Sequence, residues 1–530
     1  MDLVNEKSSY VIGIDLGTST TIGSIFTKGK SKNIKVEGND YLPSIVSFLN
    51  NGDILVGQAA KGRTMLDPTN TVSSIKSHMG EESYKVKAFE KEYLPEEISA
   101  EILKKMKDAA MQQEDLNLNG NLVYAVICVP ANFPDNAKQA TIKAAELAGL
   151  EVLYLLEEPV AAAIMYGFNA AKDQNILVYD LGGGTFDACI LNAKTNSEGK
   201  ANYKILSKEG INKLGGDDFD YKIMEIINEK FIEENNIDLL NLEKDQGISK
   251  KKLKEASQKL KEVSEKSKIE LSEMDSTNIM VPNIIQNEAG ELLNIDICLT
   301  RNQFNENIEP LIRETEEVVL KAIGNAKLTI EDMDKIILVG GSTLVPRIKE
   351  KIKEIFGIEP YSNFNPRTIV SEGAAIFGAT LSVPEDAVDN GEKDIEAEIE
   401  INQIVTHNLG IMTSGMKFSK LIEKGMQIPT GENITEEKEY TTQYDNQKEI
   451  KLYIYQSYEE IEFVNEKYDD GKEKCICIGE FILKGIPEAK QGKEKIVVKF
   501  EVNDQNIVNV IATCLSTNNE SKAELNIQRR

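Results

Sequence analysis

No apolar run in this 530-residue chain approaches the roughly 20 residues that a membrane-spanning helix requires, and the opening MDLVNEKSSY lacks the basic segment and apolar core of a secretion signal. The expected compartment is therefore the cytoplasm, with no membrane partner. Positive charge is scarce too: 61 Lys and Arg face 87 Asp and Glu, a formal net charge of −26. That balance argues against a general phosphate-backbone binder, so nucleic acid is not an expected partner. The six cysteines form no paired CxxC frame for zinc. Cys128, Cys189 and Cys298 sit in apolar stretches. Cys475 and Cys477, in KCICIG, alternate as strand residues do and are expected on one side of a sheet, as core thiols in a reducing compartment.

What remains is 41% hydrophobic and 28% charged, ordinary for globular protein and long enough for about two to four domains. Residues 10–383 mix short β runs with helical patterns, an α/β texture. From about residue 400 the pattern changes to alternating or β-branched segments such as EIKLYIYQSY, KIVVKFEV and NIVNVIATCL, separated by turn residues; an all-β domain is expected there. Between them PEDAVDNGEKDIEAEIE is acidic and poor in large apolar residues, as a linker would be. The expected divisions are a tail at 1–9, an α/β domain at 10–383, a linker at 384–403 and a β domain at 404–530. The charged stretch near 228–275 is too short for a coiled coil and reads as a solvated helical face.

Two glycine turns repeat one order of residues. VIGIDLGTST has an apolar run, Asp15, Leu16, Gly17 and Thr18; VYDLGGGTFD has an apolar run, Asp180, Leu181, then Gly182, Gly183, Gly184 and Thr185. Each is followed by a β-like segment, TIGSIF and FDACIL, whereas a dinucleotide or Walker loop must lead from strand into helix. Both therefore read as glycine-tipped hairpins. Such turns can form an anion nest, with Thr18, Ser19 and Thr185 as hydroxyl donors to phosphate. Facing carboxylates at Asp15 and Asp180 would suit Mg²⁺ held partly by water and phosphate. Singly, each hairpin is better explained by structure alone, and the repetition shifts that balance. Two further motifs, ILVGGSTLVP around Gly340, Gly341 and Ser342, and LGGDDFDYKIMEII around Gly215 and Gly216, enter helices with apolar stripes at Val345, Ile348, Ile352, Ile355 and Phe356 and at Phe219, Ile223, Ile226 and Ile227.

These segments, with AVICVPANFPDNAKQATIKAAELAGLEVLYLLEEPVAAAIMYG, occur in the order found in the seventy-kilodalton heat-shock chaperones of the DnaK type, which the sequence resembles throughout its first domain. LIEKGMQIPT and YTTQYDNQKEIKLYIYQ resemble that family's peptide-binding sandwich more loosely. The resemblance implies an α/β actin-like ATPase domain with duplicated lobes, followed by an all-β sandwich, using ATP/ADP and Mg²⁺. It assigns Gly17, Thr18 and Ser19 to one phosphate loop and Gly182, Gly183, Gly184 and Thr185 to the other. Asp15 and Asp180 would hold hydrated Mg²⁺; Lys76, Glu158, Asp180 and Thr185 would serve the γ-phosphate and its attacking water. Gly215, Gly216, Glu265, Lys268, Ser272, Gly340, Gly341 and Ser342 would bind the rest of the nucleotide. Glu158 would otherwise be a helix-start acid, and Glu265, Lys268 and Ser272 otherwise solvated residues sharing one helical face. Thr413, Ser414, Tyr440, Gln443, Ile450, Leu452, Ile496 and Val498 would surround a channel for extended apolar segments of unfolded clients, although the alternating Ile450, Leu452, Ile496 and Val498 are at least as well explained as sandwich core. A J-domain co-chaperone and a nucleotide exchange factor are the implied partners.

Several positions depart from the family pattern. The linker Ile399–Gln403, IEINQ, replaces a leucine run ending in Asp, so weaker docking is expected. Ile142 replaces a basic residue of the domain-coupling helix, where Lys138 keeps another; Leu344 and Arg367 stand where relatives often have Arg and Asp; Ser414 stands where an apolar residue can arch over peptide. The family continues into a helical lid where this sequence stops after AELNIQRR, so a lidless member with fast peptide release is expected. The expected function is an ATP-dependent chaperone with slow hydrolysis as its switch. The rival readings are an adaptor binding one partner through the β domain, a small-molecule kinase on the same fold, and an actin-like filament former.

Overall fold

The structure is a computed structural model. It describes residues 7–525 apart from positions 65, 82, 117, 119–120, 132, 168–172, 196–200, 244–246, 362, 382, 384–386, 389–398, 406, 430–431, 458, 469–470, 472 and 504–506. Most of the expected tail and the acidic run at 389–398 thus lie outside the described residues.

Two sheets of the first domain repeat one plan. In the first, Glu151–Glu157, Tyr124–Val129 and Val11–Leu16 run parallel, and Thr20–Thr27 and Lys30–Asn33 follow antiparallel. In the second, Lys335–Val339 and Gln174–Leu181 are parallel and Phe186–Thr195 and Ala201–Ile211 antiparallel. The two glycine motifs are therefore hairpins in equivalent positions, each joining a parallel strand to its antiparallel neighbour.

The sheets pack against a shared pair of helices, Glu158–Gly167 and Ile369–Thr380, whose small residues permit close approach. A Cβ on Gly373 would lie 1.8 Å from the Ala161 carbonyl oxygen, and one on Gly13 would lie 2.3 Å from the Ala375 nitrogen. Separate outer cores cover the far face of each sheet. One includes Ile98, Ile102 and Met106 of the helix Pro95–Gln112; the other includes Phe219, Ile223 and Ile227 of the helix Gly216–Asn235.

The β domain is a sandwich of two antiparallel four-stranded sheets. One has the order Lys417–Ile422, Asn408–Thr413, Glu449–Ser457, Cys475–Lys484; the other Asn433–Thr441, Lys495–Asn503, Val508–Cys514, Asn519–Leu525. Leu452 and Ile454 face Val498 and Phe500 in its core. The expectation that Cys475 and Cys477 share a buried side does not hold. Both pair on the same side of the register slip at Ile478, opposite Ser457 and Tyr455, so they share a face, but that face is covered at Cys475 and open at Cys477.

Strands also form across the expected divisions. Lys7–Ser8 pair with Ala387–Val388. The strand Ile399–Ile404 lies parallel to Ala201–Lys204 of the second sheet and antiparallel to Gln427–Pro429 of the β domain, making one six-stranded sheet. Its polar residue Gln403 is buried and accepts a 2.8 Å hydrogen bond from Lys208 Nζ, itself paired with Glu157. A strand expected to dock weakly thus has backbone pairing and a satisfied buried amide.

Gly373→Ala should force apart the two central helices at the Ala161 carbonyl. A loss of about 3 kcal/mol is expected, as for overpacked cores, read as a lower thermal unfolding midpoint of the first domain; an unchanged midpoint would contradict this packing.

Candidate functional site

The two hairpin tips meet at the floor of a cleft of about 530 Å³ between the lobes. A Cβ on Gly183 would fall 2.3 Å from Ser19 Oγ, so only glycine lets the tips approach this closely. Gly17, Thr18 and Ser19 line the cleft from one side, Gly182, Gly183 and Thr185 from the other, and Gly184 lies beside Thr18. The first tip is braced from behind, where Ser44 Oγ donates to the Gly17 carbonyl at 2.8 Å. The second is braced by the Gly216–Asn235 helix start: the Gly216 and Asp217 N–H groups donate to the Gly182 and Gly183 carbonyls at 2.9 and 2.7 Å.

Beneath the tips sits a buried charge cluster. Asp15 and Asp180 are each the penultimate residue of a hairpin strand, and Glu158 opens the central helix. Lys76, from the 3₁₀ turn Ile75–His78, reaches Glu158 Oε1 at 2.6 Å, with each side chain 11% exposed, and lies 5.8 Å from the Phe133 ring centroid, a cation–π contact. Burial, then the Glu158 charge, pushes Asp15 up to about 7 against the pull of Lys76. Burial followed by repulsion from Glu158, Asp187 and Asp15 raises Asp180 well above the carboxylate range. For Lys76, burial works against the charge, but Glu158 and Asp15 outweigh it, so the ammonium is held above its usual value. Asp187, opposite Asp180 in the hairpin register, is buried behind the cluster.

Three carboxylates around one lysine leave the floor short of positive charge. Among the described residues, no three His, Cys, Asp or Glu side chains are grouped to enclose a metal. Asp15 and Asp180 therefore fit a hydrated Mg²⁺ whose remaining ligands are water and phosphate, rather than an all-protein cage.

The other end of the cleft is built by the helices Gly216–Asn235 and Lys250–Glu273 and by the 3₁₀ turn Gly341–Leu344. Ser342 Oγ donates to the Gly182 carbonyl at 2.7 Å, and Lys268 Nζ to that of Gly216 at 2.9 Å. Gly340 donates to the Pro366 carbonyl at 3.0 Å, Gly215 to Asp218 Oδ2 at 2.8 Å, and Ser272 to the carbonyl of Lys268 at 3.0 Å. The α-helix after Gly340 begins only at Pro346, which suits a first turn, so Gly341 and Ser342 belong to the 3₁₀ turn instead. Leu344 and Arg367 line this end as well. Glu265 pairs across the cleft mouth with Lys61 at 3.2 Å, a contact that sequence patterns did not reveal because the two residues are 204 positions apart.

In the β domain the expected residues divide into two groups. Thr413, Ser414 and Gln443 are at the surface or half-buried, Tyr440 hydrogen-bonds Ser419 across the sheets at 2.8 Å, and Ile450 is half-buried. Leu452, Ile496 and Val498 are inside the core, at 6%, 1% and 0% exposure, where a ligand reaches them only if the sandwich opens. The β domain contacts the first domain through Gln427 Nε2, which donates to the Ile205 carbonyl at 3.1 Å, and through Lys424, 3.7 Å from Glu209. No helix among the described residues is long and apolar enough to cross a membrane.

A family model described as Hsp70 protein matches residues 11–530. The chain is 37% identical to proteins named Chaperone protein DnaK from Thermotoga petrophila and Thermotoga maritima, over 518 residues that make up 97% of this chain and 80% of each relative. The DnaK of Thermotoga neapolitana is 38% identical with the same coverage.

Lys76→Met should leave Glu158 buried beside Asp15 without its cation and cost about 3 kcal/mol in urea unfolding at neutral pH. Adding Glu158→Gln should restore most of that loss. A single variant as stable as the parent would show that the pair is not what holds the cleft floor.

Proposed function

Since this chain belongs to the Hsp70 family and is an ATP-dependent chaperone with ATPase activity, we propose that ATP lies with its phosphates between the two glycine hairpins and its nucleoside against Glu265, Lys268, Ser272 and Ser342. The observation that carries this reading is the buried Lys76–Glu158 pair beneath the tip-to-tip hairpins, flanked by Asp15 and Asp180. The family's architecture is an actin-like ATPase domain joined to a β-sandwich, and its members bind nucleotide, typically with Mg²⁺.

Phosphoryl transfer to water needs in-line positioning and neutralisation of the charge spread over the phosphoryl oxygens. Lys76, whose proton is held by Glu158 and Asp15, presents a fixed ammonium to the γ-phosphate. The Thr185 hydroxyl donates to the same group, and backbone N–H groups of the Gly17–Ser19 and Gly182–Gly184 turns cradle the phosphate chain. Glu158 and Asp180 orient the attacking water by accepting hydrogen bonds from it. Asp15 and Asp180 would hold Mg²⁺ through water, and the ion would supply positive charge that the cluster lacks.

The β domain holds extended apolar segments of unfolded clients near Thr413, Ser414, Tyr440, Gln443 and Ile450, and Leu452, Ile496 and Val498 back that surface from the core. The paired strand Ile399–Ile404 and the contacts of Gln403, Gln427 and Lys424 support nucleotide-dependent coupling between the domains. A cytoplasmic setting, a J-domain co-chaperone and an exchange factor complete the reading.

Thr185→Ala and Lys76→Ala should each slow ATP hydrolysis on the order of 100-fold while changing ATP affinity far less, measured by phosphate release and calorimetry. Normal hydrolysis in both would remove their catalytic assignment. For the coupled cycle, the dissociation rate of an extended apolar peptide should be higher with ATP than with ADP, and Gln403→Ala should narrow the difference. Equal rates with both nucleotides in the parent would favour the adaptor instead.

A further inference from the structure

The helix Lys250–Glu273 carries most of its lysines in water, Lys251 and Lys266 being 88% and 78% exposed. Lys268 differs. Its side chain is 13% exposed, its Nζ donates to the Gly216 carbonyl at 2.9 Å, and it lies 2.9 Å from Oδ1 of Asp220. Asp220, in the first turns of the neighbouring helix, is nearly fully buried, and its Oδ1 accepts no hydrogen bond, its close neighbour being this ammonium as an ion pair. Asp220 is not needed to cap its helix, because Asp218 already accepts from the Gly215 N–H at 2.8 Å. An ammonium has three donors. One is given to Gly216, and the Asp220 carboxylate lies beside the same nitrogen as an ion pair, leaving a donor for the cleft that Lys268 lines.

The anchor is also tied to the phosphate end. Gly216 gives its N–H to the Gly182 carbonyl and its own carbonyl to Lys268, and a Cβ there would fall 2.5 Å from Ser342 Oγ and 3.0 Å from Lys268 Nζ. One residue thus fixes the spacing between the second phosphate hairpin and the lysine.

We propose that Asp220 is a positioning residue for nucleotide binding: the charge of its buried carboxylate holds the Lys268 ammonium against Gly216 so that a remaining N–H meets a hydroxyl of the nucleoside. This rests on the reading that Lys268 faces the nucleoside. The charged groups around the carboxylate are Lys268 and Glu265 from the facing helix and Asp217 from its own; Asp217 is itself 3.6 Å from Lys261, and Glu265 is paired with Lys61. Burial raises the Asp220 carboxyl to about 6, with Lys268 pulling it down. Protonation removes the anchor, so its contribution to affinity is present above that pH and is lost as pH falls through about 6.

The test is a double-substitution cycle on the full chain, reading the dissociation constant of ATP with Mg²⁺ by calorimetry. Asp220→Asn should weaken binding about tenfold, the scale of one hydrogen bond to a charged group. Lys268→Ala should weaken it at least as much, and adding Asp220→Asn to Lys268→Ala should cost nothing further. Between pH 7.5 and 5.5 the parent should lose affinity more steeply than Asp220→Asn. Parent-like affinity in Asp220→Asn, or a further tenfold loss in the double variant, would overturn the positioning role. Parent-like affinity in Lys268→Ala would instead overturn the nucleoside-face reading. If Asp220→Asn does not fold, the double variant, with no charge left in the pair, still decides: its affinity must equal that of Lys268→Ala.

Discussion

Negative charge brought together out of water is the constraint around which the first domain is organised. Asp15, Glu158 and Asp180 converge where the hairpin tips meet, and Lys76 is the single ammonium among them. Left alone, such a group favours either protonation, as the elevated Asp15 and Asp180 carboxyls indicate, or separation of the lobes that carry it. The fold prevents separation at the floor by pinning the lobes through two helices of small residues.

The strength of the lobe contacts is graded from floor to mouth. At the base, Gly373 touches the Ala161 backbone with no room for a methyl group, and the Lys76–Glu158 pair is largely shielded from solvent. At the mouth, Lys61 and Glu265 meet as an exposed pair, of the kind that contributes at most about 1 kcal/mol and weakens further with salt. Opening therefore costs little at the rim and much at the hinge, as suits a cleft that must admit a ligand without dismantling its chemistry.

The hairpins, the facing carboxylates Asp15 and Asp180 and the change of texture near residue 400 were legible because they depend on local order: a glycine tip followed by a second strand can be read along the chain. Lys76 was not legible from pattern, since only the fold brings residue 76 against residue 158, and the family resemblance supplied it. Cys477 misled because alternation assigns a face and not what covers it: Cys475 and Cys477 share one face of the strand, and only Cys475 is buried there. Gln403 read as a weakness of the linker because its partner, Lys208, is 195 residues away. Asp220 drew no attention for the same reason: its charge is explained only by a lysine on another helix. Leu452, Ile496 and Val498 were assigned to a channel wall by resemblance, whereas their alternation alone already described the core in which they are buried.

The linker strand has a second consequence. Ala201–Lys204 would otherwise present an open row of amide and carbonyl groups, and Ile399–Asn402 is what pairs with it. Whenever that strand lifts away, the ATPase sheet acquires a bare margin able to accept any extended polypeptide, including one from a neighbouring copy. Keeping Ile399–Ile404 in place is thus also a matter of hygiene: the segment that joins the domains is the selvage that stops the sheet from fraying into intermolecular contacts.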